Sequence, residues 1–173
     1  REYCVRASAE DVQFPVRALL ANWRSLRVLD LSALNITDLP NAIGRLLHLR
    51  WLDLSRNGKL KMLPKSFTKL INLQFLDLWK CDSLEELPED FNELVNLRKL
   101  LVPLGIFGSS NFCGLRYMPL GMEKMACLTT LNGFILGRRK SSMKREVRLE
   151  DLRVPRNLRG SLEIRIRPDY KHS

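Results

Sequence analysis

Leucines recur along this chain at intervals that no single regular element can hold. Leu26-Arg-Val-Leu29-Asp-Leu31, Leu49-Arg-Trp-Leu52-Asp-Leu54 and Leu73-Gln-Phe-Leu76-Asp-Leu78 share a spacing of three and then two. Leu97-Arg-Lys-Leu100-Leu-Val102 follows with Val in the last place, and the copies begin 23, 24 and 24 residues apart. A helix would repeat apolar residues every three or four positions, and a strand every two. Three followed by two describes a turn residue feeding a short strand. Leu76 and Leu78 then share one side of that strand, with Phe75 and Asp77 on the other.

The rest of each unit repeats as well. Leu39-Pro40, Leu63-Pro64 and Leu87-Pro88 stand at matching places, followed by Ile43, Phe67 or Phe91 and then by Leu46, Leu70 or Leu94. From Leu84 onward the apolar steps are three residues, with one of four from Leu87 to Phe91, which suits a loose helical or 3₁₀ arm returning to the next strand. Self-similarity at this period with this template marks a leucine-rich repeat. Cys81 occupies the Asn/Cys slot of the template, where a buried turn role is expected. One such unit cannot fold alone. Ordering it costs roughly 1–2 kcal/mol per residue, while each buried leucine returns only about 1.5–3 kcal/mol. Stacking closes the deficit. The expected fold is an α/β leucine-rich-repeat solenoid of about six to seven units. A parallel β-sheet lines its concave face, and short helical or irregular arms line the convex face.

The period also sets the boundaries. Residues 1–13 do not show the template, and their fold is left open. The repeat domain is expected over 14–166, with insertions at 103–117 (rich in Gly, Ser and Asn) and at 137–148, and a frayed tail at 167–173. Leu162-Glu-Ile164 is expected as the last strand. The chain opens on Arg1 and shows no polar cap at either end, as expected of a piece of a longer protein. No apolar run is long enough to span a membrane. Four scattered cysteines without a C-x-x-C pair fit a reducing cytosol better than a metal site. A cytoplasmic location is therefore expected.

The net charge of +10 is uneven: residues 1–137 hold 17 basic and 14 acidic side chains, whereas 138–173 hold 12 and 5. Arg138, Arg139, Lys140, Lys144 and Arg145 form a basic patch within the second insertion. It reads as a solvated loop or a contact for an acidic protein. Nucleic acid is disfavoured, because no aromatics interleave with the charges. No phosphate-cradling G-x-x-x-x-G-K-[ST] and no G-x-S-x-G occurs. Two histidines leave little for acid–base chemistry, so a non-enzymatic chain with no cofactor or metal of its own is expected.

Strand alternation sorts the outward residues into columns. One reads Val28, Trp51, Phe75, Lys99; the next Asp30, Asp53, Asp77, Leu101; the third Ser32, Ser55, Trp79, Pro103. Trp51, Phe75 and Trp79 are expected to form an exposed aromatic cluster, a common kind of binding anchor. The stacked carboxylates would repel at the strand spacing of about 4.8 Å. They call for local hydrogen-bond donors or a cationic partner.

The string "LRVLDLSALNITDLPNAIGRLLHLRWLDLS", with "MPLGMEKMACLTTLNGFILG" and "LEDLRVPRNLRGSLEIR" after it, resembles the leucine-rich region of plant nucleotide-binding, leucine-rich-repeat disease-resistance proteins of the coiled-coil type. The resemblance covers about residues 14–166. It implies recognition of a pathogen effector or a guarded host protein. It also implies restraint of a neighbouring switch module, which would bind ADP or ATP and lies outside this chain. Its variable strand slots correspond to Val28, Asp30, Ser32, Trp51, Asp53, Ser55, Phe75, Asp77, Trp79, Lys99 and Leu101. The alternative is a generic intracellular scaffold for protein–protein interaction, of the small-GTPase-pathway type. A cell-surface ectodomain would show a Gly-x-Ile-Pro rhythm and paired cap cysteines, and neither occurs.

Overall fold

The computed structural model describes residues 4–6, 25–105, 114–137 and 155–167. Its strands are short: β1 (Cys4–Arg6), β2 (Val28–Asp30), β3 (Trp51–Asp53), β4 (Phe75–Asp77), β5 (Lys99–Leu101) and β6 (Thr130–Leu131). They form one parallel sheet in the order β1-β2-β3-β4-β5-β6. Two longer strands, β7 (Gly133–Leu136) and β8 (Glu163–Ile166), pair parallel in a second sheet.

The leucine spacing sets the register. Leu29, Leu52, Leu76, Leu100 and Leu131 stand opposite one another on successive strands, and each is buried. Their flanking strand residues lie half-exposed from β2 to β4. Leu26, Leu49, Leu73, Leu97 and Leu128 form a further buried layer at the turns into the strands. A one-residue slip would turn every leucine into water, so the register is strongly specified.

The arms are single 3₁₀ turns, and no α-helix occurs among the described residues. Pro40 and Pro64 hold extended backbone and lead into the turns Asn41–Arg45 and Lys65–Lys69. The Ile43 N–H donates to the Pro40 carbonyl at 3.0 Å, Phe67 to Pro64 at 2.9 Å and Phe91 to Pro88 at 3.1 Å. Proline fixes φ and lacks an N–H, so it enters such a turn without wasting a donor. Its carbonyl then closes the i→i+3 bond. Each turn drives one large side chain inward: Ile43, Phe67, Phe91 and, from Met122–Lys124, Met122. Gly44 lies where two turns touch, and a Cβ there would fall 2.3 Å from the Ser66 carbonyl oxygen.

Three places depart from the sequence expectation or refine it. Cys4–Arg6, in the segment of open fold, is a strand in register with β2. The last strand is Glu163–Ile166 rather than a stretch centred on Leu162–Ile164. Gly114 and Arg116, at the end of the stretch expected as an insertion, donate backbone bonds to Asp82 and Glu85 of the preceding arm, and Leu115 and Tyr117 are buried. The remainder of that stretch (106–113), the second insertion from 138 to 148 and the tail 168–173 lie outside the described residues.

Candidate protein-recognition face

Parallel, in-register pairing brings the same slot of each repeat to the strand spacing of about 4.8 Å. In the first column that spacing is a stacking distance. The rings of Trp51 and Phe75 lie 5.0 Å apart and 8° from parallel. The Lys99 ammonium sits 5.5 Å from the Phe75 centroid, within cation–π range. Val28 continues the column on β2. Trp51 and Phe75 are half-buried and Lys99 is exposed.

The second column is a carboxylate ladder whose charges are met first by local donors. The Ser32 N–H and hydroxyl donate to Asp30 at 2.9 and 2.7 Å. The Ser55 N–H donates to Asp53 at 2.8 Å, and the Trp79 N–H to Asp77 at 2.8 Å. Each Asp thus closes a side-chain turn where its strand ends. Burial pushes the Asp77 carboxyl above the usual carboxylate range; the Trp79 N–H opposes that, the Asp53 charge adds to it and the Lys99 ammonium lowers it again. Leu101 ends the ladder on β5.

The third column does not behave as one surface. Ser32 is half-exposed, but Ser55 is 7% exposed and Pro103 is buried, which takes both out of the accessible set. The chain tightens at Ser55: its N–H is held by Asp53, and its carbonyl accepts from the Ala33 N–H at 2.9 Å. Trp79 is exposed at the rim, with the Arg56 guanidinium 5.6 Å and the Lys80 ammonium 4.5 Å from its ring. The expected aromatic cluster therefore divides into a stacked Trp51–Phe75 pair and a Trp79 flanked by cations. The basic patch of Arg138, Arg139, Lys140, Lys144 and Arg145 lies outside the described residues.

Beneath this face lies a residue that strand alternation does not mark. Asn57 is fully buried. Its side-chain oxygen accepts from the Leu34 and Ile36 N–H groups at 3.0 Å each. Its amide donates to the Leu31 carbonyl at 2.9 Å and the Leu54 carbonyl at 2.7 Å. It thereby ties one repeat to the next. The signal was available, because Asn57 occupies the same slot as Cys81 in the following copy. There the Cys81 thiol donates to the Leu54 carbonyl at 3.1 Å. Burial raises that thiol's pKa to about 12, although the Asn57 N–H partly offsets it. A second set of asparagines works at the turn into the strands. The amides of Asn72, Asn96 and Asn157 donate to the carbonyls of Leu47, Ile71 and Ala126 in the preceding unit.

Among the described residues no group of three His, Cys, Asp or Glu could hold a metal ion. No helix there is long and apolar enough to cross a membrane.

The family model of the leucine-rich repeat region matches residues 7–170. This chain belongs to the leucine-rich repeat region family. A 53-residue stretch of the repeat region is 47% identical to a Solanum bulbocastanum protein named as the disease resistance protein RGA1. That stretch is 31% of this chain and 5% of the relative's length. The expected resemblance to the leucine-rich region of plant resistance proteins is borne out by this match. A solved leucine-rich-repeat protein of Leptospira interrogans aligns with 95% of this chain and 47% of its own, at 22% identity and a TM-score of 0.41.

Proposed function

We propose that this repeat region is the recognition and autoregulatory part of a plant intracellular immune receptor. In this reading its sheet face binds a pathogen effector or a guarded host protein. The same region restrains a neighbouring nucleotide-binding switch module, which would carry ADP or ATP. The working place is the cytoplasm, and the role is binding rather than catalysis. The observation that carries the reading is the sheet face itself. The parallel sheet presents a stacked Trp51–Phe75 pair, Lys99 and a row of carboxylates in one register. Aromatic anchors beside charges are what a protein interface concentrates its energy on. The match to a named resistance protein supplies the biological setting.

The test uses a receptor that carries this chain. Trp51→Ala with Phe75→Ala should abolish the cell-death response to an effector that the unaltered receptor detects, at unchanged protein level. A full response from the double variant would refute recognition through this face. Co-precipitation of the chain with the switch module of the same receptor tests the second half. Absence of association, together with a silent module when the chain is deleted, would refute restraint.

A further inference from the structure

The arms carry a charge pattern that the sheet face does not need. Residues 57–69 hold four Lys and no Asp or Glu, whereas residues 81–93 hold six Asp or Glu and no Lys or Arg. All of these charged residues are exposed. The two arms are neighbours in a fixed register, because Met62 pairs with Glu86 in a parallel bridge. Counting on from that bridge, Lys65 stands beside Glu89 and Lys69 beside Glu93. Just past them, in one slot of successive repeats, Ile71 and Val95 are 50% and 49% exposed. A basic stripe thus lies against an acidic stripe, with an apolar row along one end.

We infer that this arm face is a self-complementary docking surface for a second copy of the chain. A partner of one charge sign, drawn to either stripe, is repelled by the other stripe one repeat away. The partner that satisfies both must carry the same pattern reversed. A half-turn about an axis parallel to the arms generates that reversal from the chain itself. Each basic arm then covers the acidic arm of the other copy, and Ile71 meets Val95 of the second copy. Such a contact is isologous and closes at two. Pairing of these side chains within one surface does not compete strongly. Exposed ion pairs contribute about 0–1 kcal/mol each and leave the outer side of each head group wet. Two arms and an apolar row make a small interface, of the weak and salt-sensitive class. This surface is separate from the sheet face and does not rest on the immune reading.

Sedimentation velocity of the 173-residue chain over a concentration series tests it. At about 20 mM salt a monomer–dimer equilibrium is expected, weakened at least about tenfold at about 500 mM salt. Lys65→Glu with Lys69→Glu places like acidic charges at the registered positions 65, 69, 89 and 93, and Glu89→Lys with Glu93→Lys places like basic charges there. Each double variant alone should be monomeric at low salt. An equimolar mixture should form a heterodimer, which a folding defect in either variant would not produce. Monomer at every salt, a dimer indifferent to salt, or folded variants that fail to pair when mixed would each overturn the proposal. If a variant does not fold, the salt series on the unaltered chain decides alone.

Discussion

Removing the Asn57 side chain should cost more than any single leucine-to-valine change in the core. Five bonds depend on it: two accepted from the Leu34 and Ile36 N–H groups, and three donated to the Leu31, Leu54 and, at 3.4 Å, Ser55 carbonyls. All five are buried. In Asn57→Ala the two N–H donors lose their acceptor, at about 1–3 kcal/mol each. The carbonyls lose less, since an oxygen tolerates an unfilled lone pair better than an N–H tolerates no acceptor. The expected loss is about 3–5 kcal/mol, against a total stability of about 5–15 kcal/mol for a domain. Urea unfolding followed by far-ultraviolet circular dichroism measures it. Asn57→Leu separates the causes. A filled cavity would rescue a packing loss, but leucine leaves the N–H groups as unsatisfied as alanine does. Because the bonds join one repeat to the next, amide exchange should accelerate most around β2 and the Leu34–Ile36 turn, and least around β5. A loss below about 1 kcal/mol, or recovery in the leucine variant, would refute the claim that these hydrogen bonds hold the first repeats together.

Gly44→Ala should destabilise by about 2 kcal/mol or more, because its Cβ would lie 2.3 Å from a backbone oxygen of Ser66; an unchanged melting temperature would contradict the close contact of the two turns. Asp77 gives a pH test whose sign follows from burial. Its carboxyl is held above the usual range, so the folded chain takes up that proton at a higher pH than the unfolded chain does. The group's contribution therefore favours folding as pH falls through the folded-state pKa, and opposes folding once ionised. Asp77→Asn keeps an oxygen for the Trp79 N–H. It should match or exceed the parent in stability at neutral pH and flatten this part of the acid-side slope; a clear loss at neutral pH would show that the ionised ladder is stabilising. Finally, Cys127 is exposed whereas Cys81 is buried with a pKa of about 12. Iodoacetamide at mildly alkaline pH should label Cys127 in the native chain and reach Cys81 only after unfolding, as a peptide map would read.

The parts that were legible in the sequence are those fixed by hydrophobic period. The leucine spacing placed β2 to β5 and their register, because a period of two leaves one choice of buried face. Steps mostly of three from Leu84 suit a loose helical or 3₁₀ arm, and the structure holds 3₁₀ turns there. Where the leucines are missing, the period carries no signal. β1 lies in Tyr3-Cys-Val-Arg6, which carries a strand but no template. The division between β6 and β7 was also hidden. Asn132 sits between them, and its side chain bonds both the N–H and the carbonyl of Val102 at 2.7 and 2.9 Å. It takes the place of a neighbouring strand's backbone, so the main chain is released to pair with β8. An Asn in an apolar strand run was the available signal. Burial of Ser55 was not legible, since alternation says which way a side chain points and not what covers it. The charge inversion between arms was present in the residues, but sums over long segments cancelled it.

An in-register stack forces each slot to meet its own kind, or its opposite, at one strand spacing. The two faces meet this demand differently, and the difference bears on what each can do. On the sheet the carboxylates of Asp30, Asp53 and Asp77 stack like on like. They are tolerated because each takes a donor from its own chain two residues on. Those donors occupy one oxygen in each of Asp53 and Asp77 without neutralising the carboxylates, so the sheet face keeps a row of like charges beside its aromatic pair. On the arms 57–69 and 81–93 the two stripes are opposite in sign, so each weakens the other's field at a distance. A surface of the first kind attracts at range and suits a cationic or mixed foreign partner. A surface of the second kind recognises only at contact, and only a matching pattern. The division predicts opposite salt responses in kinetics. Binding at the sheet face should lose association rate as salt rises. Self-docking of the arms should lose lifetime, with little change in association rate. Equal salt dependence of both rates at both faces would remove the distinction.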